Sequence, residues 1–207
     1  VGTMAAKAIS PASSDFLLAP DPADPRLTQR VRGIDQAGRP VETAVVVERP
    51  LTLFLNRQEI VTMMTIADYP DYLAVGYLLN QNMLRPDDKI VGIDHDDELE
   101  VVVVRTERET NFEEKLLKKT RTSGCAQGTS WLYALTRKIN TSPSLYLEAG
   151  AIHGCVLCER DRPLIYMEDV GRHNAVDKIA GYMFLHGIGP ADKIFYTTGR
   201  LTSEMVI

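Results

Sequence analysis

The segment M167-E-D-V-G-R-H-N-A-V-D177 decides the fold of the second half of the chain. It follows the apolar run L164-I-Y-M167 and leads into N174-A-V-D-K-I-A-G-Y-M-F-L185, whose apolar side chains recur at helical spacing. The segment therefore predicts a tight turn from a strand into a helix. Asn174 is a suitable N-cap for that helix, and Gly187 is a suitable stop.

The segment F195-Y-T-T-G-R-L-T-S-E204 predicts a second turn of the same kind, because it follows the apolar strand K193-I-F-Y-T197 and starts another helix. Both segments place a Gly-Arg pair between the end of a strand and the first turn of a helix. The residues of these pairs are Gly171, Arg172, Gly199 and Arg200. The alternation of strand and helix predicts parallel strands and an α/β core, with both turns at the carboxyl edge of the sheet.

The two Gly-Arg pairs have the chemistry of an anion site. Glycine permits a tight turn and a close approach of the backbone to a ligand. The N-terminus of a helix offers free N–H groups with a partial positive charge. Arginine adds a planar fork that holds phosphate through two hydrogen bonds. We therefore predict that Arg172 and Arg200 flank one anion site; the alternative is that each marks a turn with a solvated arginine.

Three more residues of the first turn each have two interpretations. His173 lies near the helix N-terminus, where an imidazole tends to stay neutral. It would donate a hydrogen bond or carry a proton there, or it would only tie the turn down. Glu168 and Asp169 would bind a ribose or guanine donor, or they would satisfy backbone N–H groups.

Cys125 lies in the small-residue loop S123-G-C-A-Q-G128, just before a predicted helix. A run of basic residues precedes it: Lys115, Lys118, Lys119 and Arg121. A thiol close to a helix N-terminus and to cationic side chains has a depressed pKa, and the thiolate is the form that attacks and carries sulfur. We predict that Cys125 is a reactive cysteine rather than a structural one.

Cys155 and Cys158 form a C-x-x-C pair within a predicted strand. Residues three apart on a strand point to opposite faces, which argues against a shared metal ion. There is no second cysteine pair to complete a four-ligand zinc site, and the H-x-E pattern of zinc deaminases is absent. We predict two small apolar side chains in a buried strand and no metal site.

The composition of the 207-residue chain limits the classes of function. Its 44% hydrophobic and 25% charged residues are typical of a globular protein. A net charge of −5 argues against a nucleic-acid binder. No apolar run approaches the roughly 20 residues that span a membrane. Three cysteines are too few for a disulfide scaffold, which favours a reducing, cytoplasmic setting.

The chain divides into three predicted parts. Residues 1–28, rich in Ala, Ser, Pro and Asp, predict a flexible N-terminal tail. Residues 29–106 predict an α+β unit with β-hairpins around a buried helix at 72–79, which Asp68 caps. Residues 107–207 predict the α/β unit. The predicted strands are residues 43–48, 51–56, 59–66, 89–93, 99–104, 145–148, 151–158, 164–167 and 193–197.

Five stretches of the chain resemble the formate dehydrogenase accessory sulfurtransferase family, FdhD. They are P50-L-T-L-F-L-N56, M63-M-T-I-A-D-Y-P-D-Y-L-A-V-G-Y-L-L79, T122-S-G-C125, E168-D-V-G-R-H-N-A-V-D-K178 and T198-G-R-L-T-S-E-M-V206. The E-D-V-G-R-H-N block is the most specific of them. The resemblance extends from about residue 40 to the end of the chain.

The resemblance implies a cytoplasmic factor, a homodimer, with a cytidine-deaminase-like α/β core that lacks the zinc chemistry. Members of the family take sulfur from a cysteine desulfurase as a cysteine persulfide, and Cys125 matches that position. They bind the molybdenum bis-(molybdopterin guanine dinucleotide) cofactor and pass sulfur to the metal before its insertion into formate dehydrogenase. The residues that would hold this cofactor are Arg121, Gly171, Arg172, His173, Gly199 and Arg200.

The chain departs from the family pattern at the reactive loop, which reads C125-A-Q-G128 where many members have C-x-x-C. The stretch between Cys125 and His153 is short for the family. The chain ends less than two turns into its last predicted helix, so we expect the natural protein to continue. Two other functions stay open: a non-enzymatic chaperone that binds the cofactor without handling sulfur, and a cysteine hydrolase with His153 or His173 as base.

Overall fold

A computed structural model describes residues 16–108, 130–160 and 162–199 of the chain. Its strands are β1 (Thr28–Ile34), β2 (Pro40–Val46), β3 (Arg49–Leu55), β4 (Gln58–Thr65), β5 (Ile90–Asp96), β6 (Val101–Thr106), β7 (His153–Glu159), β8 (Arg162–Asp169) and β9 (Lys193–Thr197). Its helices are α1 (Pro70–Asn80), α2 (Ser130–Asn140), α3 (Leu145–Ala149) and α4 (Arg172–Leu185). No helix in the described part of the chain is long and apolar enough to cross a membrane.

The first large sheet has four strands in the order β4-β3-β6-β5. β3 pairs with β4 and β5 pairs with β6 in antiparallel fashion, which confirms the predicted hairpins, and β3 pairs with β6 in parallel. The alternation of β3 turns Leu51, Leu53 and Leu55 toward α1, where all three are buried in one apolar cluster. The predicted burial of α1 is confirmed. This part of the chain is therefore a four-stranded mixed sheet with one helix packed on it.

The second large sheet has the order β8-β7-β9, and both outer strands run antiparallel to β7. The prediction of parallel pairing is therefore wrong. A short turn at Arg160 joins β7 and β8 as a hairpin, so that β7 occupies the position beside β8 that a parallel neighbour would need. β8 and β9 nevertheless point the same way, because each opposes the strand between them. Their carboxyl ends thus lie at one edge, as predicted.

Three local predictions made from the sequence, two helix caps and one strand, are wrong. The N-cap of α1 is Tyr69, with φ 45°, and not Asp68, whose side chain pairs with Lys178 instead. The N-cap of α4 is Gly171 and not Asn174. Residues 145–148, predicted as a strand, begin α3, because the Ser144 side chain accepts a hydrogen bond from the backbone N–H of Leu147.

Residues 16–27 belong to the segment predicted as a flexible tail, and the first residues of this stretch are docked on β8. Phe16 is buried, the N–H of Leu17 donates to the Leu164 carbonyl, and the N–H of Tyr166 donates to the Leu18 carbonyl. Residues 1–15 lie outside the described part of the chain. The division at residues 28 and 106 stays a prediction.

Helices α1 and α4 cross in direct backbone contact at two glycines. A Cβ atom at Gly76 would lie 1.7 Å from the carbonyl oxygen of Asp177, and one at Gly181 would lie 1.9 Å from that of Tyr72. Any side chain larger than hydrogen at either position would force the helices apart. The crossing joins the two sheets, since Phe184 of α4 packs on the first sheet's cluster while Tyr69 and Tyr72 pack on the second's.

Asp177 is buried in this helix crossing. Its Oδ1 accepts a hydrogen bond of 2.6 Å from Nδ2 of Asn80. Burial raises the pKa of Asp177 to about 7, although the Asn80 hydrogen bond lowers it and the charge of Asp169 raises it further. The carboxyl group is therefore protonated in the folded protein at pH values where it is ionised in the unfolded chain.

Asp177→Asn should remove a pH-dependent loss of stability. In the wild type, between about pH 4 and pH 7 the folded state binds this proton and the unfolded chain does not. The contribution of the proton to stability is therefore complete below pH 4 and is lost as pH rises through 7. The compared quantity is the free energy of unfolding of the variant minus that of the wild type. We expect this difference to be more positive at pH 8 than at pH 5 by on the order of 2 kcal/mol. Urea unfolding at the two pH values measures this difference. An equal difference at both would contradict the buried, protonated carboxyl group.

Candidate anion-binding site

The two predicted Gly-Arg turns meet in the structure. A Cβ atom built on Gly199, just beyond β9, would lie 3.2 Å from Cβ and 3.4 Å from Cδ of Arg172, at the start of α4. The aliphatic stem of Arg172 therefore lies against the glycine of the second turn. The prediction that both turns share one sheet edge is confirmed. Arg200, Arg121 and Cys125 lie outside the described residues, so their places in this site stay predictions.

The start of α4 has the features of an anion site. Its N-cap, Gly171, has no side chain to satisfy the first N–H groups, and the first turn carries no acidic residue. The Nε atom of Arg172 is buried and has no hydrogen-bond partner among the described residues. His173, half-buried, follows it in the same turn. The first turn of α4 thus combines helix N–H groups with an arginine side chain, and this combination favours a bound anion.

The carboxylate of Asp169 holds the first turn in place through both of its oxygens. Oδ1 accepts hydrogen bonds from the N–H of Gly171 at 3.2 Å and from Nδ2 of Asn174 at 3.0 Å. Oδ2 accepts one from Oγ1 of Thr65 at 2.5 Å and lies 2.6 Å from Nζ of Lys178. Asp169 is fully buried, so its carboxylate does not lie at the surface where a ligand would bind. Of its two predicted roles, the backbone one is confirmed.

Asn174, predicted as the helix cap, instead joins this turn to the first sheet. Its Nδ2 donates to the carbonyl of Met64 at 2.8 Å as well as to Asp169. β4 ends at Thr65, so both sheets contribute to the position of the Gly171–Arg172 turn.

Glu168 is buried beside Asp169 but points to a different partner. Its carboxylate accepts hydrogen bonds from the N–H groups of Leu145 at 2.7 Å and Tyr146 at 3.0 Å, and from the hydroxyl of Tyr166 at 3.0 Å. Burial raises the pKa of Glu168, while these hydrogen bonds lower it. Glu168 therefore anchors the start of α3, which again confirms the backbone role.

The second turn is held by hydroxyl groups at the end of β9. Oγ1 of Thr197 accepts a hydrogen bond from the N–H of Gly199 at 3.0 Å and one from Sγ of Cys155 at 3.4 Å. Thr198 exchanges two hydrogen bonds of 2.9 Å with the backbone of Gly154. These contacts fix the second turn to β7 and thereby to the first turn.

Cys155 and Cys158 are buried, as predicted, and they face different apolar clusters on the two sides of β7. Burial raises the pKa of Cys155 to about 12 and that of Cys158 to about 11. Both are therefore neutral thiols and poor nucleophiles at neutral pH. Among the described residues, no group of three or more His, Cys, Asp or Glu side chains is arranged to hold a metal ion.

Lys178 and Thr65, which complete the Asp169 cluster, were not predicted as site residues. Lys178 carried a detectable signal: it is a charged residue on a helix whose neighbours Val176, Ile179 and Ala180 form the apolar pattern. A lysine within such a pattern is buried only when it is paired. Thr65 carried no signal, since a threonine at the end of a strand is ordinary.

The structure thus defines a class: a mixed α/β protein with a candidate anion-binding corner between the turn that leads into α4 and the turn that follows β9. The comparison with protein families identifies that class, because residues 46–207 match the FdhD/NarQ family. The chain belongs to the FdhD/NarQ family.

Individual relatives agree with this assignment. The sulfur carrier protein FdhD of Bacillus subtilis (strain 168) is 26% identical over 190 residues, which cover 81% of this chain and 72% of the relative. That of Wolinella succinogenes is 30% identical over 189 residues, covering 80% and 66%. A crystal structure from Desulfotalea psychrophila, provisionally described as a formate dehydrogenase accessory protein, is 29% identical with a TM-score of 0.68, covering 86% of this chain and 77% of that one.

Gly199→Ala should weaken anion binding without unfolding the protein. The new Cβ would press on the Arg172 stem and on Oγ1 of Thr197, which lies 3.4 Å away, so the arginine must shift by a few tenths of an ångström. We expect the Kd for inorganic pyrophosphate to rise roughly threefold to tenfold by calorimetry, since a charged hydrogen bond contributes about 1.5–3 kcal/mol when well aligned. Gly189→Ala, at a position with nothing within 4 Å, is the control. Equal affinities for the two variants would contradict the contact between the turns.

Proposed function

We propose that this protein is a sulfur carrier that serves formate dehydrogenase. Cys125 carries sulfur as a persulfide from a cysteine desulfurase to the molybdenum bis-(molybdopterin guanine dinucleotide) cofactor. Arg121, Arg172 and Arg200 hold that anionic substrate, with Gly171, His173 and Gly199 beside them. The proposal includes a cytoplasmic homodimer with a cytidine-deaminase-like core. Relatives named sulfur carrier protein FdhD, and a crystal structure described as a formate dehydrogenase accessory protein, support it.

The single structural observation that carries the proposal is the contact between Gly199 and Arg172. The substrate contains phosphates and guanine groups, and it needs a site larger than one turn can form. The start of α4 lies at this sheet edge, and the sequence predicts a second helix start after Gly199, so that backbone N–H groups and arginine donors would extend over a wider surface. A glycine in each turn lets the phosphate chain approach the backbone.

The sulfur chemistry belongs to Cys125. Its thiolate attacks the outer sulfur of the desulfurase persulfide, a new S–S bond forms at Cys125, and the desulfurase thiolate leaves. No external oxidant is needed, because the sulfur keeps its oxidation level. Delivery of that sulfur as sulfide returns Cys125 to a thiolate and consumes two electrons from an external thiol reductant. Neither of the buried cysteines can replace Cys125, because both thiols are neutral and enclosed.

Sulfur loading tests the proposal directly. The protein is incubated with a cysteine desulfurase and cysteine, and its intact mass is measured without reductant. The wild type should gain the mass of one sulfur atom, and Cys125→Ala should gain none. Cys155→Ala is the matched control, which should load like the wild type because its thiol is buried.

Gain of the same mass by Cys125→Ala would contradict a persulfide at this residue. The site would then fit the second candidate, a chaperone that binds the cofactor without handling sulfur, since the contact between Gly199 and Arg172 needs no reactive thiol. In that case Cys125→Ser should still support formate dehydrogenase activity in cells.

A further inference from the structure

Lys178 is fully buried below the anion-binding corner. Its ammonium group lies 2.6 Å from Oδ2 of Asp169, donates to the carbonyl of Glu168 at 3.0 Å and forms a short ion pair with Asp68. No part of its side chain reaches solvent, while that of Asp68 is 10% exposed. Lys178 therefore cannot touch a ligand at the surface, and it acts only through the groups it contacts.

The charges of this cluster are unequal, because one ammonium faces two carboxylates. Burial alone lowers the pKa of Lys178, but Asp169 and Asp68 more than offset this and raise it above its usual value. Burial raises the pKa of Asp68, and the Lys178 charge opposes that effect. Oδ2 of Asp68 is buried without a hydrogen-bond partner among the described residues.

A buried ion pair of this kind is a poor device for stability. The desolvation of charged groups commonly exceeds their mutual attraction, so apolar residues of similar size are often as stable or more so. What the pair does provide is a defined geometry. Lys178 pairs with Oδ2 of Asp169. The other oxygen, Oδ1, accepts hydrogen bonds from the N–H of Gly171 and from the side chain of Asn174. The next residue after Gly171 is Arg172.

We propose that Lys178 is a positioning residue of the anion site, which acts through Asp169 on the Gly171–Arg172 turn so that Arg172 grips a nucleoside diphosphate. The inference rests on the proposed function, because it assigns the corner to the phosphate and nucleoside part of the substrate. Loss of the ammonium frees the carboxylate, and the turn then samples orientations in which the Arg172 guanidinium does not face the ligand.

The test is a double-mutant cycle read by calorimetry with guanosine diphosphate. Arg172→Ala and Lys178→Met should each raise the Kd about tenfold, the size expected for one charge-assisted contact. The combined variant should show no further loss, since Lys178 has nothing left to position. Additive losses, about a hundredfold in the combined variant, would overturn the proposal, because they would mean that Lys178 acts on the fold in general.

Two further variants guard against simple unfolding. Asp68→Asn with Lys178→Met removes the tether and keeps the net charge of the cluster at −1, and it should bind as weakly as Lys178→Met. Thr65→Val removes the hydroxyl that donates to Asp169 and should raise the Kd a few-fold. Lys193→Met is the matched control, because this lysine pairs with Glu159 at the opposite end of β9. Its Kd should equal that of the wild type.

A positioning role also separates binding from sulfur acceptance. Lys178→Met should load sulfur from a desulfurase at the wild-type rate while it binds guanosine diphosphate more weakly. A parallel loss of both properties, following the loss of thermal stability, would contradict the proposal. If the wild type itself binds no guanosine diphosphate, the proposed function fails. If the wild type binds it and Lys178→Met and Thr65→Val bind equally well, only this inference fails.

Discussion

The rest of the molecule depends on the contacts of one buried group, the carboxylate of Asp169. It ends β8 of one sheet, accepts a hydrogen bond from Thr65 at the end of β4 in the other, and contacts Lys178 and Gly171 around the start of α4. A single buried group thus joins both sheets to the turn that carries Arg172. Because an unpaired carboxylate at this depth would be very unfavourable, its partners are required together.

The antiparallel arrangement of the second sheet explains how two distant Gly-Arg pairs meet. β7 lies between β8 and β9 and opposes both, so the two outer strands end at the same edge. The crossing of α1 and α4 at Gly76 and Gly181 then fixes α4 against the first sheet's helix. The candidate anion-binding corner is consequently formed by strand order and helix contact as much as by the turns themselves.

The sequence predicted what is local and failed where distant partners decide. The Gly-Arg pair after the apolar run at 164–167 gave a correct turn into a helix, and the strand segments of the first unit gave correct hairpins. Asp68 and Asn174 looked like helix caps, but their side chains are bound by Lys178 and by the Met64 carbonyl, more than a hundred positions away in sequence. The short α3 lacks a periodic pattern, and its N–H groups depend on Glu168. Strand neighbours could not be read from the alternation of strand and helix, so parallel pairing was wrongly expected.

We propose that the turns at Gly171 and Gly199 bind one anionic ligand together. An amide NMR titration of the isotope-labelled protein with guanosine diphosphate addresses it at single residues. We expect the amide signals of Gly171 and Gly199 to shift together and to fit one Kd, while that of Lys193, at the far end of β9, stays in place. If either glycine signal is unmoved at saturation, or if the two follow different affinities, the turns do not form one site.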